Sequence, residues 1–132
     1  MSFRVLQLDD LDILVQISDD SLLFFFENGY IKKTMDNADE KTLWSQSGKF
    51  YFKKVKYSKN FEEGLYKIKD FEIKYDHYVY RNMLILPFKI FGDIEVKVSL
   101  NDSDNLYDFF SAEAEIILEK EPKYIKHIAK KE

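Results

Sequence analysis

The chain has 132 residues, 45% hydrophobic and 33% charged, with a formal net charge of −4, a balance that fits one folded globular domain and excludes a wholly disordered chain. It has no cysteine, which excludes a disulfide framework and thiolate ligation, and a domain of this size folds on its core without such staples. Its longest uncharged apolar run, Met83–Phe88, is far short of the roughly 20 residues that span a bilayer, and Met1-Ser2-Phe3-Arg4 runs into Asp9 and Asp10 without the apolar stretch of a signal peptide, so a cytoplasmic protein with no membrane partner is expected.

Charge is uneven along the chain. Residues 1–40 carry three basic and nine acidic groups, residues 41–97 twelve and seven, and residues 98–132 five and eight. Folding can intermix these blocks, or leave an acidic face beside a basic one that suits a charged partner.

Phe3–Leu8 and Ile13–Ile17 read as short strands separated by the acidic turn Asp9-Asp10-Leu11-Asp12. Ser18-Asp19-Asp20-Ser21 forms a second turn. Leu22–Glu27 and Tyr30–Thr34 then read as the two arms of a hairpin about Asn28-Gly29, a type I′ signal that demands positive φ. Asp36–Lys41 is polar and loop-like. In Lys49–Tyr57 the apolar phase shifts at Lys53-Lys54, and in Leu65–Tyr75 it shifts at Lys69-Asp70, each the mark of a bulge or a strand end.

Tyr78–Arg81 is a further strand, and Pro87 confines Met83–Phe91 to an edge or a bulge. Gly92-Asp93 fits a type II′ hairpin leading into Ile94–Leu100, which alternates cleanly. Asn101–Asn105 reads as a turn or a helix start, and Ala112, Ala114, Ile116 and Leu118, alternating with Glu113, Glu115 and Glu119, read as one more half-exposed strand, with a helix across 103–119 as the rival. Pro122 is placed to open a C-terminal helix bearing Ile125, Ile128 and Ala129 on one side. The expected fold is mainly β (α+β): one domain over 1–132, an antiparallel, strongly bent sheet or partly open barrel, with that helix closing it.

The candidate chemistry is thin, and the sequence names no reaction. Asp102-Ser103-Asp104 with Asp108 and Glu113 resembles calcium-loop spacing, but Tyr107 stands where the sharp turn needs Gly. His77 beside Asp76 is a possible general base only if the two meet in a turn, and His127 reads as a surface residue in the terminal helix. Lys49, Lys53, Lys54, Lys56 and Lys59, interleaved with Phe50, Tyr51, Phe52 and Tyr57, have the composition of a single-strand nucleic-acid platform, yet the chain is acidic overall.

No catalytic residue, metal site or cofactor is assigned. The chain has 22 aromatic residues (Phe 12, Tyr 9, Trp 1), which build cores and binding faces. The reading is therefore a protein-binding module of inhibitor or immunity type, facing a basic partner such as a toxin or nuclease. Its candidate contacts are Asp9, Asp10, Asp12, Asp19 and Asp20 with Tyr66, Tyr75, Tyr78 and Tyr80. The alternatives are a barrel that carries a small apolar ligand and, behind it, an enzyme using a pocket carboxylate or His77.

Overall fold

The computed structural model describes residues 3–34, 41–59, 61–101 and 106–128. Every element in them is a β-strand: β1 (Arg4–Gln7), β2 (Asp12–Ser18), β3 (Ser21–Thr34), β4 (Lys41–Lys53), β5 (Lys56–Tyr57), β6 (Gly64–Tyr75), β7 (Tyr78–Arg81), β8 (Met83–Leu86), β9 (Lys89–Leu100) and β10 (Leu106–Ile128). All pairings are antiparallel. Six strands close a ring in the order β2-β3-β4-β10-β9-β6, with β6 returning to β2. The wall is thus a complete barrel where a bent sheet or partly open one was expected, and closure removes the free edges of that sheet.

Three of the strands are too long for the barrel and leave it together. The far halves of β3, β4 and β10, with β1 and β8, form a second sheet in the order β8-β1-β3-β4-β10. The departure is made at one level by a double irregularity. Phe26 pairs with Gly48 and Gly29 with Gln46, so Glu27 and Asn28 oppose the single residue Ser47. On the other side of β4 the β10 register slips between Glu119 and Lys123, with Lys120 at φ 60°.

Asn28-Gly29 is therefore a bulge inside β3 and not a hairpin turn, and neither residue adopts a positive φ. Glycine is needed there for closeness. A Cβ on Gly29 would lie 2.7 Å from the Phe26 ring, and one on Gly48 would lie 2.6 Å from the Ile117 carbonyl oxygen and 3.0 Å from the tip of Phe26. Gly92-Asp93 is likewise a bulge inside β9, not a hairpin: Ile94 and Phe91 pair with Ser111 and Glu113, and Gly92 has φ 126°.

The expected C-terminal helix is absent. Pro122 lies within β10 at its bulge, and residues 123–128 pair with β4 through Tyr124↔Trp44 and His127↔Thr42. Proline is tolerated because, among the described residues, this part of β10 has no partner on its other side, so no ladder donor is lost there. Ala129, the 36–40 part of the polar loop and Asp102–Asp104 of the calcium-like spacing lie outside the described residues. The phase shifts at Lys53-Lys54 and Lys69-Asp70 correspond to the end of β4, where Lys54 has φ 54°, and to a bulge between Ile68 and Asp70.

The barrel interior is filled by rings. Phe50 stacks on Phe52 at 4.4 Å, Phe52 meets Phe24 edge-on at 5.4 Å and Phe109 at 5.0 Å, and Phe50 reaches Phe71 at 5.5 Å. All five are essentially fully buried. Leu8 and Leu11, on the β1–β2 loop, turn inward to close one end.

Gly48→Ala is expected to cost about 2–3 kcal/mol in urea denaturation, because its new Cβ meets backbone that cannot yield, whereas Gly29→Ala costs about 1–2 kcal/mol against a side chain. Phe26→Leu should recover part of the Gly29→Ala loss and little of the Gly48→Ala loss. Equal rescue of both, read from a double-mutant cycle, would place the constraint elsewhere.

Candidate functional site

Along one edge of β3, β2 pairs as far as Phe25 and β1 takes over at Ile31. Among the described residues no strand covers the backbone of Phe26–Tyr30 on that edge. The chain between β1 and β2 could have bridged the gap, but buried Leu8 and Leu11 draw it away. Leu8 N–H donates to the Asn82 carbonyl at 2.7 Å and Asp10 N–H to the Ile68 carbonyl at 2.7 Å. What remains is an open groove of about 1120 Å³ between β2 and β3.

Its floor is a row of outward side chains fixed by register: Leu65 opposite Leu14, Leu14 opposite Phe25, Phe25 opposite Lys49. Leu65 is 81% exposed, the most exposed large hydrophobic residue in the described structure. The Lys49 ammonium lies 5.9 Å from the Phe25 ring centre. Ile13 and Phe26, facing inward, close the bottom. Asp10, Asp12, Glu27 and Glu119 line the groove against Lys67 and Lys120, four carboxylates against two ammonium groups. Lys67 bonds Asp12 at 3.3 Å across the strands, an exposed pair worth little to stability.

Tyr66 also lines the groove, with its hydroxyl donating to the Glu62 carbonyl at 2.9 Å. Burial, then the neighbouring Tyr107 and Glu62, push its phenol above the ordinary tyrosine value. Asn101 ties the wall: its side-chain oxygen accepts from Lys67 N–H at 3.0 Å and its own N–H donates to the Lys67 carbonyl at 2.6 Å.

Of the nine contacts drawn from the sequence, the groove gathers three, Asp10, Asp12 and Tyr66. Asp9 sits in the adjoining turn. Asp19 and Asp20 form the two-residue loop joining β2 to β3, at the opposite end of β2. Seven strand residues separate the two acidic turns by roughly 20 Å, so the carboxylates do not share one end of the sheet. Asp10 (φ 67°) and Asp19 (φ 53°) are there as turn formers, since short polar side chains tolerate the left-handed region.

Tyr75, Tyr78 and Tyr80 assemble away from the groove, at the β6–β7 hairpin, where Tyr78 and Tyr80 stack at 6.4 Å. His77 does meet Asp76 in the turn of that hairpin, at 3.8 Å, but its side chain is 94% exposed and outside any pocket wall described. The lysine and aromatic residues of β4 divide between two faces: Phe50 and Phe52 enter the core, while Lys49 and Lys53 pair with Glu119 and Glu113 at 3.6 Å each. Among the described residues no group of three carboxylate or histidine side chains converges as a metal site. Leu14, Phe25 and Leu65 escaped sequence reading because each looks like an ordinary strand residue. Their row exists only through the register.

Comparison with family models, curated proteins and solved structures finds no match to this chain.

Asp12→Asn is expected to leave stability within about 0.5 kcal/mol of wild type, since the ion pair it breaks is exposed. A larger loss in chemical denaturation would mean that the pair holds β2 to β6 and that the residue cannot serve as a clean probe of binding.

Proposed function

We propose that this barrel is a protein-binding module of the cytoplasm, acting as an inhibitor or immunity-type protein that covers a basic toxin or enzyme, and that the β2–β3 groove is its contact surface. The observation that supports this reading is the pairing of an exposed apolar row with a surplus of carboxylates in one groove. An apolar centre such as Leu65 and Phe25 supplies the binding energy of an interface. The surrounding Asp10, Asp12, Glu27 and Glu119 speed the approach of a basic partner and set its register. The uncovered backbone of Phe26–Tyr30 suits an extended segment of that partner, which would add its own hydrogen bonds.

A carrier for an apolar ligand is the second reading. A ligand inside the barrel would have to displace Phe24, Phe50, Phe52 or Phe109, each packed ring on ring, so a carrier of this architecture would use an outer groove instead.

The test takes the protein recovered from the native host with wild type as bait, or the product of the neighbouring gene, and measures association by surface plasmon resonance. Leu65→Asp should weaken binding at least tenfold, mainly through dissociation. Asp10→Asn with Asp12→Asn should slow association several-fold and flatten its salt dependence. Asp19→Asn with Asp20→Asn should change neither. Unaltered binding by Leu65→Asp, or a larger effect at Asp19 and Asp20, would move the interface off this groove.

A further inference from the structure

Beyond the bulges where β3, β4 and β10 leave the barrel lies a second groove, whose charged lining among the described residues is basic. On the inner face of the second sheet, Phe3, Arg4, Lys33, Trp44 and Leu86 surround an opening of about 510 Å³. Arg4 and Lys33 are direct cross-strand partners in the β1–β3 register, which brings their Cβ atoms to roughly 5 Å on one face. Like charges so placed repel. Both residues are half-buried, and among the described residues neither makes an ion pair or a side-chain hydrogen bond. Five other cations, Lys49, Lys53, Lys67, Arg81 and Lys89, each face a carboxylate.

The neighbouring row supplies an apolar wall, with Ile31 opposite Trp44 and Trp44 edge-on to Tyr124 at 5.3 Å. The Trp44 indole N–H is already committed to Thr42 Oγ1 at 2.8 Å, which fixes the ring. Gln46 belongs to the same lining. It is 8% exposed and donates Nε2 to the Lys120 carbonyl at 2.8 Å, while its buried Oε1 has no donor among the described residues.

We propose that this groove binds an amphipathic organic anion, with a carboxylate held between Arg4 and Lys33 and an apolar body against Trp44 and Leu86. Charge decides the occupant. Two adjacent cations without an ion pair among the described residues cost stability that a single anionic head recovers, and the flat apolar wall beside them favours a head with a hydrocarbon body over a bare inorganic ion. The volume falls in the range of small-molecule sites. The site is separate from the β2–β3 groove and stands whether or not that groove binds a protein.

Trp44 is the chain's one tryptophan, so its emission reports on the groove directly. Octanoate, kept below its micellar concentration, should change Trp44 emission saturably. Octanol should need at least tenfold more, and inorganic phosphate at matched ionic strength should give no saturation. Arg4→Gln with Lys33→Gln should raise the half-saturating octanoate concentration at least tenfold while the melting temperature holds or rises. Lys33→Glu, placing a carboxylate opposite Arg4, should raise the melting temperature of the free protein and abolish the octanoate response. Octanol acting as well as octanoate would reduce the groove to an apolar crevice, and phosphate acting as well would reduce it to an anion contact. Either result overturns the proposal, as does an unchanged response in the double variant or a lower melting temperature for Lys33→Glu.

Discussion

The ring of Phe26 occupies the space that side chains at Gly29 and Gly48 would need, at the one level where β3, β4 and β10 leave the barrel. Strands twist smoothly but do not turn corners without an extra residue or a missing side chain, and this corner uses both. The bulge at Glu27-Asn28 bends β3, Gly48 lets β4 press against the Ile117 carbonyl, and the Lys120 bulge bends β10 to match. Gln46 and Ser47 then fasten β4 to the β10 bulge through the Lys120 and Glu119 carbonyls, at 2.8 and 2.9 Å. The ring itself stays buried, so the corner belongs to the core and bends only at the cost of repacking it.

Much of the wall was legible in the sequence, and what was misread has a common cause. Alternation placed Ile94–Leu100 correctly in β9, because one of its faces is buried and the other is not, whereas Tyr78–Arg81, which coincides with β7, is exposed throughout and carries no such signal. Asn28-Gly29 and Gly92-Asp93 were read as turns because glycine marks both turns and bulges. A local signal says that the backbone is unusual there, without saying whether the chain reverses. The deciding quantity is the partner's position, which is a tertiary fact: Gln46 beyond Gly29, and Phe91 and Ile94 both on β10. The tail misled for a different reason. Residues 119–127 are exposed on both faces, so no alternation was available to contradict the helical spacing of Ile125 and Ile128.

The uneven charge of the chain is resolved by topology. Placing β10 between β4 and β9 sets the carboxylates of the last block against the ammonium groups of the middle one, through Lys49–Glu119, Lys53–Glu113 and Lys89–Glu115. Those contacts are exposed and individually weak, but they remove much of the positive field from the middle of the barrel. Lys53 also lies 5.2 Å from the Tyr51 ring, which holds its charge close to the wall. The acidic first block has less to meet it. Asp12 finds Lys67, while Asp10 and Glu27 face the β2–β3 groove with no cation bound to them among the described residues.

Two grooves of opposite sign therefore flank a single corner. Phe26, Gly48 and Lys120 line the acidic one, and Gln46 and Pro122, their neighbours on β4 and β10, line the basic one. Net charge alone would describe this as a mildly acidic protein, which is the wrong scale for recognition. What an approaching partner meets within a Debye length of about 8–10 Å is the local field of whichever groove it faces. The sheet change that creates the β2–β3 gap also turns the inner face of the second sheet toward solvent, so neither opening exists without the bulges. The residues that make the corner are in this sense the ones that set both surfaces, although none of them needs to touch a ligand.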